Sequence, residues 1–260
     1  MQPMKSEVTE RGSGIQSVRV NPQMNCDHYA HVADLFDFPR TDFSARGQVT
    51  LDMLRDDYPE AAEEVEYFLK VMPQRTIDLQ ELHTRTFDVQ SLTTLDVGYV
   101  LFGDDYKRGA LLASMNQEHR RLQNDCRGEL GDHLPNVLRL IAKLDDPGLI
   151  REMVLQLVVP ALLLMIREFD SDRAQKKDEN YEQHYWTLID RAPGSDPTIY
   201  CRTLNALLYI LARDFDITQE MLVLIAESGS RPQTQDFLGQ VKKEMDIEMD
   251  ANPVNSGCDS

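Results

Sequence analysis

From about residue 27 to residue 226 the apolar residues recur at helical spacing, and almost nowhere do they alternate as a half-buried strand requires. Val32, Leu35 and Phe36 predict a first helix over 28–36, stopped by Pro39. Pro59 opens a second over 60–71, with Val65, Phe68 and Leu69 on one face and Glu60, Glu63, Glu64 and Glu66 on the other. Ile77, Leu79, Leu82 and Phe87 predict a helix over 77–87, followed by a broken connection over 88–103 that ends at Gly103-Asp104. Leu111, Met115 and Leu122 line a long helix over 106–122. Asp132 stands where an N-cap belongs, and Pro135 falls in the first turn of the next helix, 134–144. Asp145-Asp146-Pro147 repeats the device for 148–169, where Leu155, Val158, Leu162 and Met165 form the expected buried stripe and Pro160 should kink or split the helix. Further helices are expected over 181–189, over 198–215 and, capped by Thr218, over 219–226. Hairpin turns between alternating runs are missing. The fold class is therefore all-α, a single-domain bundle of about eight to ten helices spanning 27–226. Residues 1–26 and the acidic stretch 227–260 are polar and rich in Gly and Pro, and are expected to be largely disordered tails.

Composition narrows the function. The chain of 260 residues is 42% hydrophobic, enough for a core, and carries a net charge of −17. A surface that acidic argues against nucleic acid or anionic lipid as a partner and favours basic ligands. The four cysteines, Cys26, Cys126, Cys201 and Cys258, form no close pair, so a reducing cytoplasm is the simpler expectation. The N-terminal residues lack the apolar core of a secretory signal. The apolar run 153–166 is shorter than the ~20 residues of a membrane span and is flanked by Arg151, Glu152, Arg167 and Glu168. It reads as a core helix, and no direct membrane insertion is expected.

Few residues suggest catalysis. His28 and His31, with Asp27 and Asp34, have metal-ligand spacing, but no cysteine or third histidine joins them, and they read as a polar helix face. Cys126 and Cys201 have no neighbouring base and read as structural thiols. No GxSxG, Walker A, HExxH or GxGxxG motif is present. The acids between 52 and 66 read as a solvated face or as a lure for a basic peptide. Lys107, Arg108, His119, Arg120 and Arg121 are expected to pair with the acidic surface rather than to bind an anion. The most distinctive segment is Glu129, Leu130, Gly131, Asp132, His133, Leu134, Pro135. It is a glycine-hinged helix start with Asp132 as cap and His133 held by Glu129 or by a carbonyl.

That segment, ELGDHLPNVLRLIA at 129–142, resembles the E-x-x-D-H/Y-L-P signature of the NarJ/TorD family, the dedicated chaperones of molybdenum-containing respiratory oxidoreductases. LQELHTRTFDV at 79–89 is similar to the LQ-E-x-Y-x-x-TFD helix of the nitrate reductase delta-subunit branch, with His83 where that branch commonly has an aromatic residue. LFGDDYKRGALL at 101–112 resembles its L-F-G-[DE]-x-x-x-RG element, and DPTIYCRTLNALL at 196–208 a C-terminal family helix. The likeness spans about residues 28–215 with the motifs in order.

The resemblance implies an all-helical, non-enzymatic protein without a tightly bound cofactor. Its partner would be the apo catalytic subunit of a molybdoenzyme, recognised through an N-terminal or signal segment. The chaperone would keep that client competent to receive its bis(molybdopterin guanine dinucleotide) cofactor. Glu129, Asp132, His133, Leu134 and Pro135 are the implied client-binding residues, with Asp104, Arg108 and Phe87 as secondary candidates. A monomer or a domain-swapped dimer is expected. The rival readings from the residues alone are an acidic helical adaptor unrelated to molybdoenzymes and a helical phosphohydrolase using His28, His31 and Asp34.

Overall fold

The computed structural model describes residues 25–89, 91–170 and 196–227. The expectations for the two tails, for the loop after Asp170 and for a helix over 181–189 lie outside the described residues. Within them the chain is helical and contains no strand, only an isolated antiparallel bridge between Asp96 and His133. The helices are α1 (His28–Ala33), α2 (Phe43–Asp57), α3 (Pro59–Val71), α4 (Thr76–Phe87), α5 (Val97–Phe102), α6 (Tyr106–Arg121), α7 (Leu134–Lys143), α8 (Pro147–Met153), α9 (Val159–Arg167), α10 (Tyr200–Asp214) and α11 (Gln219–Glu227). A π-helical segment, Val154–Val158, joins α8 to α9, and a 3-10 turn, Pro197–Ile199, leads into α10.

The bundle is built on α3 and α10, which run antiparallel. Tyr58, at the start of α3, donates its hydroxyl to Asp214 at the end of α10, while Arg202, near the start of α10, pairs with Glu64 and stacks on Tyr67. Helix α2 lies against α3 closely enough that a Cβ on Gly47 would stand 2.7 Å from Leu69. Asp214 also accepts from His28 and from the Tyr29 hydroxyl, tying α1 to the same end. Helix α7 packs on α1, and its Arg139 reaches Asp34 and Asp37 beyond the end of α1. Helix α9 is wedged between α5 and α10.

Several expectations need correction. Helix α2 was not visible in the pattern, because its inward face uses Gly47 and Thr50 between Phe43, Leu51 and Leu54. The connection over 88–103 contains the short helix α5. Ile77, expected on the apolar face of α4, is exposed, whereas Leu79, Leu82 and Phe87 are buried. Pro160 splits its helix by way of the π segment: proline lacks an N–H, and the wider turn, with Val159 N–H bonded to the Val154 carbonyl, absorbs the lost bond. The same extra residue rotates the inward face. Val154, Leu157, Val158, Leu162 and Met165 are buried, and Leu155 is only half-buried. By length and composition Pro147–Arg167 could cross a membrane, but 50% of its apolar window is buried inside the protein.

Candidate functional site

Two of the distinctive segments meet at the start of α7. The bridge at residues 96 and 133 brings them together: Val97 N–H donates to the Asp132 carbonyl at 2.9 Å, and Leu134 N–H to the Leu95 carbonyl at 2.8 Å. Across it Arg108, in the first turn of α6, reaches both sides. Its Nε donates to Asp132 Oδ2 at 2.9 Å and its Nη2 to Asp96 Oδ2 at 2.8 Å. The second oxygen of Asp96 accepts from His133 Nδ1 at 3.1 Å. Four side chains from α6, the segment before α5 and the start of α7 thus form one chain: Asp132, Arg108, Asp96, His133.

Burial separates their roles. The Asp132 side chain is 0% exposed, so its charge rests on Arg108. Arg108 is 16% exposed and lies 5.3 Å from the centre of the exposed Tyr99 ring. Burial alone would raise the Asp96 carboxyl, but the hydrogen bonds and charges of His133 and Arg108 outweigh it and hold the group below the usual carboxylate range. With Nδ1 committed to Asp96, Nε2 of the His133 ring is the nitrogen left for an incoming group. Gly98 makes the geometry possible. A Cβ there would lie 2.6 Å from Asp132 Oδ2, 3.1 Å from Leu111 Cδ2 and 3.3 Å from Arg108 Cγ.

Asp132 is not the helix cap that its position suggested. The N-cap residue of α7 is His133, with no side-chain cap bond, and the carboxylate one residue earlier turns inward because Arg108 waits there. Nor is His133 held by Glu129 or by a carbonyl; Asp96, which sequence reasoning did not single out, holds it. Its only local signal was a place just before the first apolar residue of α5. Leu134 and Pro135 are buried in α7, and Phe87 is buried against His83 and Tyr200, so none of these offers its side chain to a partner. Glu129 and Asp104 are exposed and stand outside the four-residue chain. Among the expected residues, only His133 and Arg108 combine partial exposure with membership of the cluster.

The loop before α7 is held from beneath by His119. Its Nε2 donates to the Gly131 carbonyl at 2.9 Å, while its Nδ1 accepts from Asn124. Beside the site, Thr93, Thr94, Tyr99, Val100, Phe102 and Leu164 line a groove of about 560 Å³, and Tyr99 is shared between groove and cluster.

Elsewhere the expected chemistry resolves into structural bonds. His28 pairs with Asp214, His31 is exposed, and Asp34 belongs to Arg139 and Arg46. Among the described residues no group of three or more His, Cys, Asp or Glu is placed to hold a metal ion. Cys26, Cys126 and Cys201 are free thiols, and burial raises all three, Cys26 to about 11, which suppresses the thiolate. No protein-family model matches the chain, and comparison with curated proteins likewise gives no match.

Proposed function

We propose that the protein is a system-specific chaperone of the NarJ/TorD type, which binds the N-terminal segment of an apo molybdoenzyme subunit, of the nitrate reductase kind, and holds it open for cofactor insertion. The observation that carries this reading is the junction of two family-like segments: Arg108 of the 101–112 segment clamps Asp132 of the D-H pair, and Asp96 orients its histidine. In this reading Asp132 shapes the site from inside and never touches the client. His133, Arg108 and Tyr99 form the contact surface, and the groove beside them, where Thr93, Thr94, Arg167 and Glu168 stand among Val100, Phe102 and Leu164, takes the polar and apolar side chains of the client segment. The acidic surface, at a net charge of −17, draws in the segment's basic residues and raises the association rate more than the affinity. Release must follow insertion, so a dissociation constant near micromolar, about −8 kcal/mol, suits the task. The protein works in the cytoplasm, where cofactor insertion takes place, and needs no cofactor of its own.

The test is capture from the native host with the intact chain as bait. The expected result is co-purification of a molybdoenzyme large subunit, weakened by His133→Ala while the variant's melting temperature stays within a few degrees of wild type. Capture of other proteins in place of such a subunit, or undiminished capture by the variant, would refute the reading.

A further inference from the structure

Outside the four-residue chain, two side chains stand out against the rule that buried polar groups find partners. His83 of α4 and Tyr200 of α10 are 4% and 0% exposed. His83 donates its Nε2–H to the Phe36 carbonyl at 3.2 Å, so on the neutral ring Nδ1 is an acceptor. Burial keeps the ring neutral by lowering its pKa. Among the described residues neither Nδ1 nor the Tyr200 hydroxyl meets a protein partner. The two rings stand 5.7 Å apart, edge to face at 86°. Phe87 packs on both, with ring centres 5.0 Å from His83 and 4.9 Å from Tyr200. Phe68 backs Tyr200 at 5.1 Å, and Phe38, half exposed, closes the outer side of His83 at 5.5 Å.

The two unpaired groups are complementary: one can only accept, the other can donate. Left independent, each carries the full penalty of a polar atom desolvated among phenyl rings. One water between the two atoms would answer both, giving a hydrogen to Nδ1 and taking the tyrosine proton on a lone pair; two polar partners meet the minimum for a buried water. We propose that His83 and Tyr200 are the two halves of one internal hydration site, which holds a single water and ties α4 to α10, with Phe38 as its outer wall. The site accounts for a histidine in a slot otherwise made of aromatic rings. The imidazole keeps the edge-to-face packing and adds the acceptor that Tyr200 needs. This inference is independent of the chaperone reading.

Tyr200→Phe decides the matter by the sign of its effect, because it removes only the hydroxyl. If the pair is bridged, the change strands the water and His83 Nδ1, and the melting temperature falls by about 2–6 °C. An unchanged or raised melting temperature would mean that a lone buried hydroxyl had been deleted, and the proposal falls. Nitrogen NMR of the folded full chain gives a second reading. In wild type the Nδ1 resonance of His83 lies where a hydrogen-bonded acceptor resonates, and in Tyr200→Phe it moves toward the bare lone-pair position; a resonance that does not move overturns the proposal. In a high-resolution crystal structure, solvent density between the two atoms supports the water, whereas a direct hydroxyl-to-Nδ1 bond refutes it.

Discussion

Replacing Arg108 with methionine isolates the electrostatics of the site. Methionine keeps most of the stem's length and packing, so the change removes chiefly the guanidinium. Two carboxylates lose a partner, but unequally. Asp96 is 26% exposed and keeps His133 at 3.1 Å, so water and the imidazole still serve it. Asp132 is 0% exposed, and among the described residues the side-chain bonds to its carboxylate come from Arg108, at 2.9 Å and 3.5 Å. A buried charge left alone in this way costs about 3–5 kcal/mol. Against a total stability of roughly 5–15 kcal/mol that is a large fraction, and it corresponds to a fall in melting temperature on the order of 10 °C.

Asp132→Asn is the control that makes the argument exact in sign. The amide keeps the shape, and Arg108, partly exposed, keeps Asp96 at 2.8 Å, so the loss is expected near 1–3 kcal/mol. The double variant Arg108→Met/Asp132→Asn contains no stranded charge and should be more stable than Arg108→Met alone. Urea titration followed by helical circular dichroism measures all three. A loss below about 1 kcal/mol for Arg108→Met, or a double variant no better than the single, would show that the Asp132 charge does not depend on Arg108, and the account of the site would fail.

Gly98→Ala gains helix propensity but puts a Cβ 2.6 Å from a carboxylate oxygen that Arg108 holds in place, so a net loss of about 1–3 kcal/mol is expected in the same titration; a neutral or stabilising result would mean that the carboxylate is free to move. Leu162→Ala, at a 1% exposed position, should cost about 2–5 kcal/mol, and Leu155→Ala clearly less, because the π segment turns Leu155 half outward; equal losses would contradict the register of that segment. Burial lowers the pKa of both His83 and His119, so the unfolded chain binds protons that the native one refuses, and stability should begin to fall as the pH drops below the unfolded histidine value of about 6.5. At Asp37 and Asp214, burial pulls upward, but the arginines around Asp37 and the His28, Tyr29 and Tyr58 donors around Asp214 outweigh it and lower both carboxyls, so a second loss should follow as the pH falls below about 4; urea midpoints that stay level from pH 7.5 to pH 3 would refute both statements.

How much of this was legible in the sequence depends on the range of the interaction that decides each feature. Helices with a local signal could be read from the sequence: α3 and α6 from apolar spacing, through Val65 and Phe68 and through Leu111 and Met115, and α8 from the Asp146 cap, whose carboxylate accepts from Gly148 and Leu149 N–H groups. Helix α2 escaped because close approach to Leu69 demands a glycine in its inward face, and Gly47 erases the stripe that periodicity looks for. Pro160 announced a break, but whether a proline kinks a helix or is absorbed by a π turn is settled by the packing of α9 between α5 and α10, which no local pattern carries.

The site shows the same division more sharply. An aspartate just before an apolar, proline-bearing helix reads as a cap, and by local chemistry that is its best use. It turns inward instead because Arg108, far back along the chain, arrives beside it when α5 and α6 fold against the start of α7. That contact in turn needs Gly98, whose missing side chain leaves room for the carboxylate, and Asp96, whose two oxygens divide between Arg108 and His133. Each of these residues is unremarkable alone. Their meaning lies in the meeting of segments distant in sequence, and it is Asp132, the residue most conspicuous by position, that ends up sealed inside while its neighbour His133 keeps partial exposure, at 16%.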